Sequence, residues 1–236
     1  MSRTSKASKH QATPALELGT SLFEKGKAAF RADRLLLAYR YLCQSVEALE
    51  SIDDKTEAVK LTLAQVYEMC SHCTGRADYI GRPAEPGKPW YYLSSQWTEK
   101  CINMHDELIR AGACTDQERV EQLFRKMNHG TQCLRVGLFA AAQSTGRSLA
   151  DQYAAHARTQ TAADAQYPFI EYEAQLLIAE SFAAQGDRIK ARAVLTAIIG
   201  GTNPLTLDPY SIDSYVKLCQ AYRRLSRDLW TFQEAG

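Results

Sequence analysis

The sequence predicts an all-α fold of antiparallel helix pairs, and three observations carry that reading. Apolar residues recur at three-and-four spacing along most of the chain, as in Leu35, Ala38, Tyr39, Leu42, Val46 and Leu49. No segment gives the sustained apolar–polar alternation of a half-buried strand. Glycine, proline and aspartate fall between the periodic segments as stop and start signals, leaving short links that join neighbouring helices head to tail.

Taken in order, residues 1–14 hold serine, lysine and arginine with no acidic or large apolar side chain after Met1. Such a stretch buries too little surface to offset its ordering entropy, so a disordered basic tail is expected. The helical domain then covers 15–236. Its first helix runs from about Ala15 to Arg31, and Asp33 stands where an N-cap belongs before a second helix. A third helix starts near Asp53 and reaches about Cys70. An insert over 74–89 comes next, rich in glycine and proline, and Pro89 is suited to opening the next helix, Trp90 to Arg110. Thr115 and Glu118 have the form of a capping box at the head of a segment that reads helically to about Gln143, with a kink at His129-Gly130. Gly146 punctuates before a helix to about Thr159. Pro168 opens the next, to Ala184, and the Gln185-Gly186-Asp187 turn leads into Ile189–Ile199. Gly200 to Pro204 is a firm stop. Asp208-Pro209 caps a last helix, Tyr210 to Arg227. Nine helices are expected.

Composition limits the function classes. The 28 Lys and Arg nearly cancel the 27 Asp and Glu, so whole-molecule affinity for nucleic acid or anionic membrane is not expected. No apolar run approaches the roughly 18–20 residues that span a bilayer. No apolar stretch of a secretory signal is visible at the start, and seven cysteines, an odd number of which most lie inside helical patterns, fit reduced thiols. A cytoplasmic or nuclear location is expected.

Two segments share a pattern. KGKAAFRADRLLLAYRYLCQS places Gly26, Phe30, Ala38, Leu42 and Ser45 in order, and IAESFAAQGDRIKARAVLTAI places Ala179, Phe182, Gly186, Ala191, Leu195 and Ile198. A small residue on the first helix lets the backbones approach, while an aromatic and a leucine fill the groove beside it. These segments resemble the tetratricopeptide-repeat family, the second of them more closely. Leu63-Ala64 with Tyr67, Gly137 with Ala150 and Ala157, and Leu218-Cys219 with Tyr222 read as weaker copies. The small residues Gly26, Ala64, Gly137, Ala179 and Cys219 lie about 38–42 apart with one double step, against 34 in the standard repeat. The resemblance implies a right-handed α-solenoid superhelix with a concave groove that binds peptides or other subunits. The chaperone-tail clamp of some members needs Lys and Asn where this chain has Phe23, Lys27, Leu176 and Glu180.

The expected function is a protein-binding scaffold within a larger assembly, with no cofactor and no enzymatic activity. The chain holds no HExxH, no Walker-type loop and no GxGxxG. Groove-facing residues are expected at Phe23, Lys27, Phe30, Arg31, Glu173, Leu176 and Glu180, with further hot-spot types at Arg82, Trp90 and Tyr91 in and beside the insert. The alternative is a nucleic-acid-associated repeat using the basic tail and Arg223, Arg224 and Arg227. Cys70, Cys73, Cys101 and His105 are the sharpest metal candidates, since thiolate and imidazole suit zinc. Cys101, however, lies about 16 Å down its helix from Trp90, so packing cysteines are the favoured reading. Trp230 and Phe232, beyond the last predicted helix, are expected either to fold back or to meet another chain, such as a second copy in a homodimer.

Overall fold

A computed structural model describes the backbone of residues 4–77, 90–159 and 169–233, and side chains within 14–76, 90–155, 158 and 169–227. All regular structure among the described residues is helical. The helices are α1 (Thr4–Arg31), α2 (Leu35–Glu50), α3 (Glu57–Ala77), α4 (Trp90–Arg110), α5 (Asp116–Arg135), α6 (Phe139–Thr159), α7 (Phe169–Ala184), α8 (Arg188–Gly201) and α9 (Pro209–Gln233), with one 3-10 turn at Pro204–Thr206. The chain divides into two compact units, 1–119 and 120–236. In the first, α1 packs on α2, α2 on α3 and α3 on α4, with α1 also touching α3. In the second, α6 packs on α7, α7 on α8 and α8 on α9, with α7 also touching α9. Helices therefore pack in sequence order, as in a helical repeat.

One hairpin turn recurs three times. The links 32–34, 136–138 and 185–187 each hold three residues, and the middle one, Asp33, Gly137 or Gly186, has positive φ. In each the middle N–H bonds the carbonyl three back, and the following N–H reaches five back: Asp33 to Phe30 and Arg34 to Ala29, Gly137 to Leu134 and Leu138 to Cys133, Gly186 to Ala183 and Asp187 to Phe182. This paired bonding is the Schellman motif, which satisfies the orphan carbonyls of a helix end. Asp33 is thus the left-handed end of α1 and not the N-cap of α2, a place taken by Arg34 without a side-chain cap bond. Asp187 does cap α8, accepting from the Lys190 N–H at 3.1 Å.

The turn sets the register of the second helix in each hairpin. Four residues past the turn's last position stand Ala38, Ala142 and Ala191, all fully buried, and twelve residues before them stand Gly26, Gly130 and Ala179, also buried. The middle copy of the repeat is therefore Gly130 with Ala142, not Gly137 with Ala150 and Ala157. Gly137 is the turn itself. A Cβ there would meet nothing within 4 Å, so Gly137→Ala carries only the backbone penalty of a left-handed L-residue, about 1–2 kcal/mol. Thermal unfolding should show that loss, and an unchanged midpoint would remove the left-handed assignment.

Several boundaries differ from expectation. α1 starts at Thr4, so residues 4–14 of the expected disordered tail carry helical backbone, and Pro14 lies inside the helix. Serine, alanine, lysine and glutamine there tolerate a helix, whereas Pro14 removes one backbone donor and sets its ring against the carbonyl of His10, the usual origin of a helix kink. α3 begins at Glu57, where the Val59 N–H approaches the Thr56 hydroxyl at 3.4 Å, and it extends to Ala77, into the expected insert. The segment expected to be one helix to Gln143 is broken at Gly137, while His129-Gly130 sits inside α5 and Gly146 inside α6. α9 continues to Gln233. The caps at Thr115–Glu118 and Asp208 form as expected. The Thr115 N–H donates to Glu118 Oε2 at 2.7 Å, and Asp208 Oδ1 accepts from the N–H groups of Tyr210 and Ser211 at 2.9 and 3.1 Å.

Candidate functional site

In the first unit the side chains of richest chemistry gather where α2, α3 and α4 meet. Tyr39 on α2 sits edge-on to Trp90, with centroids 5.9 Å apart, and its hydroxyl accepts from Trp97 Nε1 at 3.1 Å. Trp97 in turn stacks on Tyr67 of α3, with centroids 5.9 Å apart. The Tyr67 hydroxyl donates to Glu50 Oε1 at 2.7 Å, and Lys100 Nζ donates to the same oxygen at 3.1 Å while lying over the Tyr67 and Trp97 rings. Burial raises the Tyr39 phenol, with the neighbouring Cys43 adding to it. Burial also raises Tyr67, helped by its bond to Glu50. For Glu50 partial burial acts upward, but the bonds from Tyr67 and Lys100 hold its carboxyl below the usual range. The α3–α4 seam beneath is lined by hydroxyls: Ser71 Oγ lies 3.0 Å from Ser94 Oγ and 2.6 Å from Thr98 Oγ1, all buried. Small polar side chains that satisfy one another let these two helices approach closely.

The residues expected to face a groove in this unit do not all reach the surface. Phe23 belongs to the core, because α1 turns it onto α2 and α3, and Phe30 packs half-buried against that core with the Arg76 guanidinium 5.2 Å from its ring centre. Lys27 lies over the Phe23 ring at 4.7 Å, and Arg31 is exposed. Trp90 is 7% exposed and packs inward on Tyr39, while Tyr91 is half-buried. Arg82 lies outside the described residues. Cys70, Cys73 and Cys101 share the core cluster, and His105 is buried. Among the described residues no group of three or more His, Cys, Asp or Glu side chains is arranged to hold a metal ion.

In the second unit a charge ladder joins α7 to α9. Glu173 Oε1 accepts from Lys217 Nζ at 2.7 Å and from Ser214 Oγ at 2.8 Å, and Glu180 accepts from Arg224 at 3.3 Å. Tyr172 and Tyr215 meet edge to face, and Leu176 packs against the core between the helices. Glu173 and Glu180, expected to line a groove, are thus occupied by α9, and Leu176, expected there too, is half-buried against the core. Seven-residue spacing puts the two acids on one face of α7, and their basic partners repeat that spacing on α9.

The outer face of α9 carries a feature that helical periodicity alone does not mark. Leu218, Ala221 and Leu225 are buried on its inner face, yet Ile212 and Val216, one turn apart, are 42% and 44% exposed. Arg223 and Arg227 continue the same stripe and are also exposed. Elsewhere in the unit, Leu205 in the 3-10 turn is 92% exposed, and Ile189 at the start of α8 is 77% exposed. The backbone carrying Trp230 and Phe232 is helical, and their side chains lie outside the described residues. No helix among the described residues is long and apolar enough to cross a membrane. No family model matches the chain, and neither a curated protein nor a solved structure matches it.

Proposed function

We propose that the chain is a protein-binding scaffold, built as a right-handed superhelix of the tetratricopeptide type, that works inside the cell in the cytoplasm or nucleus. It holds a partner polypeptide within a larger complex and catalyses no reaction. The observation that carries this reading is the stripe Ile212, Val216, Arg223 and Arg227, exposed on the helix face opposite the buried Leu218 and Leu225. Exposed apolar side chains grouped with arginine are the composition of a protein contact, since such patches rarely remain bare and arginine is enriched at interface centres. The stripe presents two bases among apolar groups, which supports a protein partner over nucleic acid, whose backbone demands a denser basic surface.

The test is capture from a cell lysate followed by mass spectrometry, comparing the unaltered chain with an Ile212→Asp, Val216→Asp variant. Both positions are solvent-exposed, so melting temperature and helical circular dichroism should hold. The partners retained by the unaltered chain should be lost from the variant. Retention of the same partners by both would overturn the reading. Partners released steeply by salt and by nuclease would replace it with the nucleic-acid alternative.

A further inference from the structure

The unclaimed chemistry of the first unit is thiol chemistry. α2 and α3 pack as neighbours, and two side-chain contacts fix their antiparallel register. Near one end Arg76 donates to Asp33 at 3.0 Å, and near the other Tyr67 donates to Glu50 at 2.7 Å. Cys43 lies between Asp33 and Glu50 on α2, and Cys70 lies between Tyr67 and Arg76 on α3, so the register sets the two cysteines opposite each other. Across the seam each thiol acts on the titration of the other. Their exposures differ. Cys43 is partly open to solvent, whereas Cys70 is fully buried.

We propose that Cys43 and Cys70 form a peroxide-oxidisable dithiol, with Cys43 the attacking thiol and Cys70 the resolving one. Interaction with the Cys70 thiol, together with the Tyr39 hydroxyl, brings the Cys43 thiol below its ordinary range against the effect of partial burial. Burial pushes Cys70 upward, and its interaction with Cys43 adds to that. The thiolate is the nucleophile, so the accessible and more acidic member reacts first. The Cys43 thiolate attacks one oxygen of a hydroperoxide; the S–O bond forms, the O–O bond breaks, and the second oxygen leaves as an alcohol, or as water from hydrogen peroxide, taking up a proton. Cys70 sulfur then attacks Cys43 sulfur. The S–S bond forms, the S–O bond breaks, and hydroxide leaves with the Cys70 proton as water. Two thiols are oxidised to one disulfide as one peroxide is reduced by two electrons. The product staples α2 to α3, one turn along each helix from Tyr39 and Tyr67.

Cys73 supplies the internal control. It is buried in the same core, one turn further along α3, and burial first, then the Cys43 charge, pushes its thiol up to about 12. The experiment exposes the reduced full chain to hydrogen peroxide, blocks residual thiols by alkylation, and maps the peptides without reduction. The expected product is a Cys43–Cys70 linked peptide, two hydrogens lighter than the sum of its parts and separated by dithiothreitol. Cys43→Ser, at a partly exposed position, should fold as before and give no linked peptide. Cys70→Ser should leave Cys43 as a sulfenic acid that a dimedone probe captures. A dominant Cys43–Cys73 bridge, a bridge between two molecules, or Cys43 recovered as a free thiol after peroxide would each overturn the proposal.

Discussion

Leu42→Ala is expected to destabilise the first unit by about 2–5 kcal/mol, the usual cost of emptying a filled core site. Leu42 is fully buried between α1 and α2, and the contact that defines it is to a glycine. A Cβ added to Gly26 would lie 2.8 Å from Leu42 Cδ2 and 2.9 Å from Cγ, closer than such atoms approach. Two helical turns earlier, a Cβ on Gly19 would meet Leu49 Cγ at 2.6 Å. The Ser45 hydroxyl bonds the Gly19 carbonyl at 2.7 Å, which records how near the two backbones lie. Gly26→Ala should therefore destabilise, by about 1–3 kcal/mol of overpacking, although alanine is the better helix former by about 1 kcal/mol. Because the Leu42 side chain is the group set in the way, the two changes are coupled. The Gly26→Ala, Leu42→Ala double variant should lose clearly less than the sum of the two singles in chemical denaturation. Strict additivity would show that the glycine is not there to admit the leucine.

Close packing of this kind also marks the boundary between what is legible in the sequence and what is not. The number and order of helices follow from three-and-four periodicity, and the caps at Thr115, Asp187 and Asp208 follow from short polar side chains whose oxygen reaches a backbone N–H two or three residues on. Both signals are local. Glycine is ambiguous locally, because it serves equally as a turn and as a point of close packing. Gly130 and Gly146 read as a kink and a break yet are packing sites within helices, whereas Gly137 reads as a packing site and is the turn. Comparing the three links resolves this, since Asp33, Gly137 and Gly186 each precede a buried alanine by five residues. The site is less legible than the fold. Periodicity names the faces of α7 but not what covers them, and the acids at 173 and 180 find their bases 44 residues later, on α9. For the same reason Ile212 and Val216 give no sign in the sequence of being the face left open.

Gly146 carries the sharpest consequence of that ambiguity. Were it a break between helices, Gly146→Val would be tolerated, because a surface turn has room for a side chain. Inside α6 it faces α7, and a Cβ there would lie 2.9 Å from Ile178 Cγ1, 3.0 Å from the Ala174 carbonyl oxygen and 3.4 Å from Leu177 Cβ. α7 is held from a second direction as well, since a Cβ on Gly130 of α5 would meet Leu177 Cδ1 at 2.7 Å. The obstacle at Gly146 is partly backbone, which a rotamer change cannot move. Gly146→Val should therefore destabilise the second unit at or beyond the upper end of the roughly 1–3 kcal/mol that overpacking costs. Trimming Ile178 to alanine should not restore it, in contrast to the Gly26 and Leu42 pair, because the Ala174 carbonyl remains. Denaturant unfolding of Gly146→Val, alone and with Ile178→Ala, decides between the two roles. A variant as stable as the parent would return Gly146 to the surface of a turn, and rescue by Ile178→Ala would mean that only side chains stand in its way.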